Sequence, residues 1–122
     1  MNQSFTIPDR FWSLNQLIAA SKTHWSSYSN QEKHYRHTVW ALAREAELQP
    51  VKGPCRIQVT FVEKDARRDI DGVMGGAIKP ILDGLMDASV LPDDNRNWVT
   101  GISCLFPAPD KANPRIEVEI LE

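Results

Sequence analysis

Two stretches of the chain alternate between apolar and polar residues with a period of two. From Cys55 to Val62, Cys55, Ile57, Val59 and Phe61 fall on one side, and Arg56, Gln58 and Thr60 on the other. From Arg115 to Leu121, Ile116, Val118 and Ile120 alternate with Arg115, Glu117 and Glu119. Successive side chains of an extended chain point to opposite faces, so each stretch predicts a half-buried β-strand. Gln3 to Ile7 is a shorter candidate, closed by Pro8. Asn97 to Phe106 is a fourth, with Trp98, Ile102 and Cys104 on one face. The Pro-rich stretch from Pro107 to Pro114 joins the last two strands, and this order predicts an antiparallel hairpin.

Elsewhere the spacing changes to three and four. Asp9 to Leu14 reads as irregular. Ser13 is then an N-cap for a helix from Leu14 to about Lys22, with Leu14, Leu17 and Ile18 on one face. A second helix, capped by Ser29 or Asn30, runs to about Leu48. In it Tyr35, Val39, Leu42 and Ala46 recur at helical steps, and Glu32, Lys33, Arg36 and Arg44 lie elsewhere. Pro50, Gly53 and Pro54 break the chain after it. Further on, Ile78, Ile81, Leu82, Leu85 and Met86 follow a helical template, with Lys79, Asp83 and Asp87 at four-residue steps on another face. Gly72, Gly75, Gly76 and Pro80 oppose a helix there. Two readings stand: a helix from Asp71 that kinks near Pro80, or a Gly-rich loop with a helix from about Ile78. Together the elements predict an α+β fold, with a small mixed or antiparallel sheet of about four strands and two main helices.

At 122 residues the chain is sized for one domain, 1–122. Its 42% hydrophobic and 25% charged content is ordinary for a globular protein. No apolar run is long enough to span a membrane and the start lacks a basic-then-apolar pattern, so a cytoplasmic protein is expected. Cys55 and Cys104, both on predicted strands, read as small buried side chains rather than a disulfide. A net charge of −2 argues mildly against a nucleic-acid coat, which is usually basic. It leaves room for a metal-dependent nuclease, because bound cations cancel site carboxylates.

The chemistry gathers between Arg67 and Asp94. Asp69 and Asp71 are two apart, and on an extended backbone they share a side. Two carboxylates so placed repel unless a cation lies between them, and hard oxygen ligands suit Mg²⁺ or Mn²⁺. Asp94, preceded by Asp93, completes the site if the far loop folds back. The competing reading is a pair of solvated turn residues that favour the helix dipole. Lys79 is either a surface ion pair with Asp83 or a cation that stabilises developing charge. Arg67 and Arg68 are either a solvated basic run or contacts to DNA phosphates. The glycines let backbone approach a phosphate closely. His24, His34 and His37 have no metal-ligand spacing, and core packing is the expected role of Trp40 and Trp98.

Asp69-x-Asp71, then Lys79-Pro80-Ile81-Leu82-Asp83-Gly84-Leu85, then Asp93-Asp94, resembles the RusA family of Holliday-junction resolvases, including its phage and prophage members. The order of elements is similar as well: a strand, Ser13-Leu14-Asn15, a helix, a strand, the motif helix and two closing strands. The resemblance covers nearly the whole chain. It implies a small α+β homodimer that binds four-way DNA junctions and cuts two strands symmetrically with Mg²⁺ or Mn²⁺, in DNA recombination and repair. On this resemblance Asp69, Asp71 and Asp94 match the catalytic, metal-holding acids and Lys79 the catalytic lysine. Arg68 matches the basic residue before the first acid, and Asp83 the acid of a K-x-x-x-D pattern. Two positions depart from the family. Gly72 stands where an Asn usually follows the second acid, and the Asp71–Lys79 spacing is longer by about one helical turn. The alternative is a non-catalytic branched-DNA-binding or protein-interaction module with the same fold.

Overall fold

The computed structural model describes residues 2–8 and 10–122; Met1 and Asp9 lie outside the described residues, so the irregular segment expected from Asp9 is described from Arg10 onward. In chain order the elements are β1 (Gln3–Ile7), α1 (Leu14–Thr23), α2 (Ser27–Glu45), β2 (Cys55–Val62), α3 (Ile70–Asp87), β3 (Val99–Leu105) and β4 (Arg115–Leu121). The fold is α+β, with three helices and one mixed four-stranded sheet in the order β1-β4-β2-β3.

The period-two segments form the centre of the sheet. β4 pairs antiparallel with both β1 and β2, placing Val118 opposite Phe5 and Val59, and Ile116 opposite Ile7 and Phe61. These six side chains are buried. Together with Tyr35 and Val39 of α2 and Val73, Ala77, Ile81 and Leu85 of α3, they form one core. Each Val, Ile or Leu so buried contributes roughly 1.5–3 kcal/mol. Ser4, Thr6, Gln58, Thr60, Glu117 and Glu119 line the opposite, polar side of the sheet.

The expected hairpin is not formed. β3 pairs with β2, and in parallel, so β2, α3 and β3 make a crossover unit, with β4 on the other side of β2. Alternation reports which face of a strand is buried and is silent on its neighbour. The segment 106–114 passes over the end of β2, where the Asp110 N–H donates to the Glu63 carbonyl at 2.8 Å. Its span is about two strand spacings, roughly 10 Å.

The helices differ from expectation in detail. Ser13 caps α1 through a capping box with Gln16, and α1 ends at Thr23. Of its expected apolar face Leu17 is buried, Leu14 is half-buried and Ile18 is 42% exposed. α2 starts at Ser27, earlier than the caps expected at Ser29 or Asn30, and ends at Glu45. Glu47 turns the chain with a left-handed φ of 55°, and the Leu48 N–H returns to the Ala43 carbonyl. Ala43 takes the buried position expected of Ala46, which is exposed. Trp40 and Trp98 pack against the core, as expected. Both cysteines are free thiols, Cys55 buried and Cys104 half-buried, and burial pushes both above the usual thiol range. No helix among the described residues is long and apolar enough to cross a membrane.

α3 settles the choice left open by the sequence: it is helical from Ile70, with Pro80 inside it. Its glycines serve packing. A Cβ on Gly76 would stand 2.0 Å from the Trp12 carbonyl oxygen, and one on Gly84 2.5 Å from Val39 Cβ. Removal of side chains lets α3 lie against the segment before α1 and against α2 at close range. Gly72 is different, since its Cβ would meet Ser13 Cβ at an ordinary 3.7 Å. We therefore expect Gly76→Ala to lower stability by about 1–3 kcal/mol, the cost of overpacking outweighing the gain in helix propensity. Gly72→Ala is expected to be neutral or stabilising by up to about 1 kcal/mol. Urea-unfolding midpoints of the two variants check this; equal shifts would contradict it.

Candidate functional site

The site is built where β2 hands over to α3. The alternation of β2 continues one step beyond the strand and turns Glu63 inward, where it is 9% exposed. A buried carboxylate needs a partner. Arg68 supplies it as a fork, Nε to Glu63 Oε1 at 2.6 Å and Nη2 to Oε2 at 2.8 Å. The remaining nitrogen, Nη1, donates to the Phe11 carbonyl at 2.7 Å and to Gln16 Oε1 at 3.0 Å. Gln16 is the same residue that closes the Ser13 capping box. Arg10 Nη1 lies 3.9 Å from the same Glu63 Oε1. Arg68, expected on the DNA surface, is thus occupied within the protein, pinning the β2–α3 loop to the start of α1.

Its neighbours face outward. Arg67 has an 89% exposed side chain, 3.8 Å from Asp65. Asp69 is the N-cap of α3, and its carboxylate does not bond to the helix it caps. Asp71 lies in the first helical turn, and both acids are exposed. The chain is extended at Asp69 and helical from Ile70, not extended throughout as expected, so a shared side for Asp69 and Asp71 does not follow from their spacing. What replaces it is the helix N-terminus, whose dipole favours two acids there. A cavity of about 280 Å³ opens beside Asp69, lined by Ser13, Asn15, Gln16, Arg67, Arg68, Asp69 and Gly72.

Asp94 belongs to a different neighbourhood. Its charge acts on Lys79. Lys79 is eight residues past Asp71, about 12 Å along the helix axis. Among the described residues no group of three or more His, Cys, Asp or Glu side chains is gathered closely enough to hold a metal ion. Asp69, Asp71 and Asp94 therefore do not form one cluster in the single chain. Asp93 is engaged in its own turn, accepting from the Asp94 N–H at 2.7 Å and from Asn95 Nδ2 at 3.1 Å.

Lys79 and Asp83 do form the expected pair, at 3.0 Å, but the pair is lopsided: Lys79 is 72% exposed and Asp83 6%. The hydrogen bond to Asp83 and that acid's charge raise the Lys79 ammonium above its usual range. Arg36 reaches across from α2, 3.8 Å from Asp83, and forks onto Asp87 at 2.5 and 2.7 Å. That fork holds Asp87 below the usual carboxylate range and raises Arg36. Glu32 completes the group, its carboxyl raised first by burial and then by Asp83. From the sequence, Glu32 and Arg36 are expected only to lie off the apolar face of their helix, and Glu63 is not singled out. The signals were present: Glu32 stands three residues before Tyr35 and seven before Val39, and Glu63 two after Phe61.

The tether and its exposed neighbour predict opposite outcomes. Arg68→Ala leaves Glu63 buried with weakened compensation and is expected to cost about 3 kcal/mol of stability. Arg67→Ala, on an exposed side chain, is expected to change stability by less than about 0.5 kcal/mol. Chemical denaturation of both variants measures the difference, and similar losses would contradict it.

Compared with known proteins, the chain matches no protein-family model and no curated protein.

Proposed function

We propose that the chain is a metal-dependent, structure-selective endodeoxyribonuclease that resolves four-way junctions or related branched DNA by paired phosphodiester hydrolysis. The observation that carries this reading is the placement of Asp69 and Asp71. Two exposed carboxylates, neither in a salt bridge among the described residues, stand at a helix N-terminus, with a cavity beside Asp69 and an exposed arginine. The donor chemistry fits Mg²⁺ or Mn²⁺: Mg²⁺ takes one or two carboxylates and fills its other positions with water and substrate phosphate, so Asp94 need not join. Asp69 and Asp71 would hold the ion. When bound, it supplies a water of lowered pKa and charge neutralisation at the phosphate.

The protein's own residues do the rest. Arg67 docks a backbone phosphate, which positions DNA without reading bases. Arg68, by fixing the loop, fixes where Asp69 and Arg67 stand. Lys79 adds positive charge further along α3, where it stabilises negative charge on the DNA strand. Paired cuts need two such sites related by a two-fold axis, and one chain carries one site, so the working form is a homodimer. The second reading, a non-catalytic branched-DNA or protein-interaction module, draws support from the grouping of Asp94 with Lys79 rather than with Asp69 and Asp71.

Cleavage of a synthetic four-way junction is expected with Mg²⁺ or Mn²⁺ and lost on addition of EDTA. Asp71→Asn is expected to abolish cutting while leaving junction binding largely intact, since it removes a metal ligand and no phosphate-binding cation. Full activity in EDTA would refute the mechanism; metal-independent binding without cutting would select the second reading.

Binding itself tests Arg67. Each phosphate contact contributes about one unit to the slope of log affinity against log salt concentration. Arg67→Ala is expected to reduce that slope by about 1 for each site engaged. An unchanged slope would remove Arg67 from the DNA surface.

A further inference from the structure

One buried oxygen between α2 and α3 has no donor. Glu32 Oε1 is enclosed and receives no hydrogen bond. The group the Glu32 carboxyl interacts with is another acid, Asp83, itself 4% exposed. Two neighbouring carboxylates, one buried and the other half-buried, repel unless a cation or a proton lies between them. The cations are already in place around the pair: Lys79 at 3.0 Å from Asp83 Oδ2, and Arg36 at 3.8 Å from the same oxygen while forked onto Asp87. A divalent ion between the acids would meet both of these positive charges. A single proton adds less charge against them than a divalent ion, and supplies the hydrogen that Glu32 lacks.

We propose that Glu32 is a positioning residue for Lys79: Glu32 and Asp83 share one proton across the α2–α3 contact, and the charge left on the pair sets how tightly Asp83 holds the Lys79 ammonium. The proton is argued from the enclosed Glu32 Oε1, the buried Asp83 and the electrostatic link between them; only the consequence for DNA cleavage rests on the nuclease reading. With the proton in place the pair carries one negative charge, and Lys79 remains available to a phosphate. With the proton lost to solvent the pair carries two, and Lys79 is drawn inward against them.

The charged groups acting on Glu32 are Asp83 and Lys79 of α3 and Arg36 of its own helix. Asp94, from the loop after α3, acts on Lys79 in turn, and Asp87 holds Arg36. Burial and Asp83 raise the Glu32 carboxyl above glutamate's ordinary 4.5, and Lys79 and Arg36 oppose them. An acid raised in the folded state binds its proton more tightly folded than unfolded. Its contribution to stability is therefore full below 4.5 and is lost as pH rises through the folded value.

The test uses the full chain. Carboxyl ¹³C NMR of the wild type is expected to show Glu32 titrating above 4.5. The Lys79 side-chain ¹⁵N signal is expected to move in step with it. In Glu32→Gln the amide is a permanent donor to Asp83, so the Lys79 signal loses that step. Single-turnover cleavage of a four-way junction, run against pH, is expected to fall in the wild type through the same step. Glu32→Gln should lack that fall, and Glu32→Ala should be several-fold slower, with the Gln variant restoring the rate. Glu32 titrating at or below 4.5, or a Lys79 signal indifferent to it, would overturn the proposal. So would a wild-type pH profile in both variants. If no branched DNA is cut under any condition, the nuclease reading falls, and the two NMR titrations still decide whether Glu32 positions Lys79.

Discussion

The close approach of α3 to the backbone before α1 constrains the rest of the molecule. Where Gly76 meets the Trp12 carbonyl there is no room for even one methyl group. That contact seats Ser13 beside Gly72 and brings the α1 capping box within reach of Arg68. The β2–α3 loop is then held from both sides, by Arg68 on Phe11 and Gln16 and by Glu63 at the end of β2. Asp69 and Arg67 project from a loop whose backbone has little freedom left, which is what a binding group needs if its reach is to be reproducible.

The same helix carries two different electrostatic environments. At its N-terminus, Asp69 and Asp71 face water and a favourable dipole, and the fold keeps them apart from the interior. Halfway along, Asp83 is buried against α2 and draws Lys79, Arg36 and Glu32 around it. The first arrangement leaves oxygen donors open to a ligand. The second uses oxygen donors to organise cations. The acids along one helix thus divide into a solvent-facing pair, Asp69 and Asp71, and a group gathered around the buried Asp83, and burial is what divides them.

Several features were legible in the sequence because they depend on neighbours close along the chain. β2 and β4 run between the residues that the alternation marked, β1 spans the short candidate before Pro8, and Ser13 caps α1 as its position before an apolar-periodic segment implies. The acid–lysine pair Lys79–Asp83 follows from a four-residue step on a helix. The two hydrophobic periods sufficed for an α+β class. Each of these is a statement about local geometry, and local geometry is written in spacing.

Tertiary structure decided what spacing does not contain. It placed β4 between β1 and β2 and made β3 parallel to β2, since an alternating strand is compatible with any neighbour. It kept Gly72, Gly75, Gly76 and Pro80 inside one helix, because the packing gained by close approach offsets the poor propensity of those residues. It turned Arg68 inward, since Glu63 two residues past Phe61 is buried and needs a fork of donors. It separated Asp94 from Asp69 and Asp71, because the loop after α3 brings Asp94 toward Lys79, about 12 Å along the helix axis from Asp71, and not to the helix N-terminus. The sequence alone determined which residue types carry charge and where the chain bends; which of those charges meet was fixed by the packing of α3.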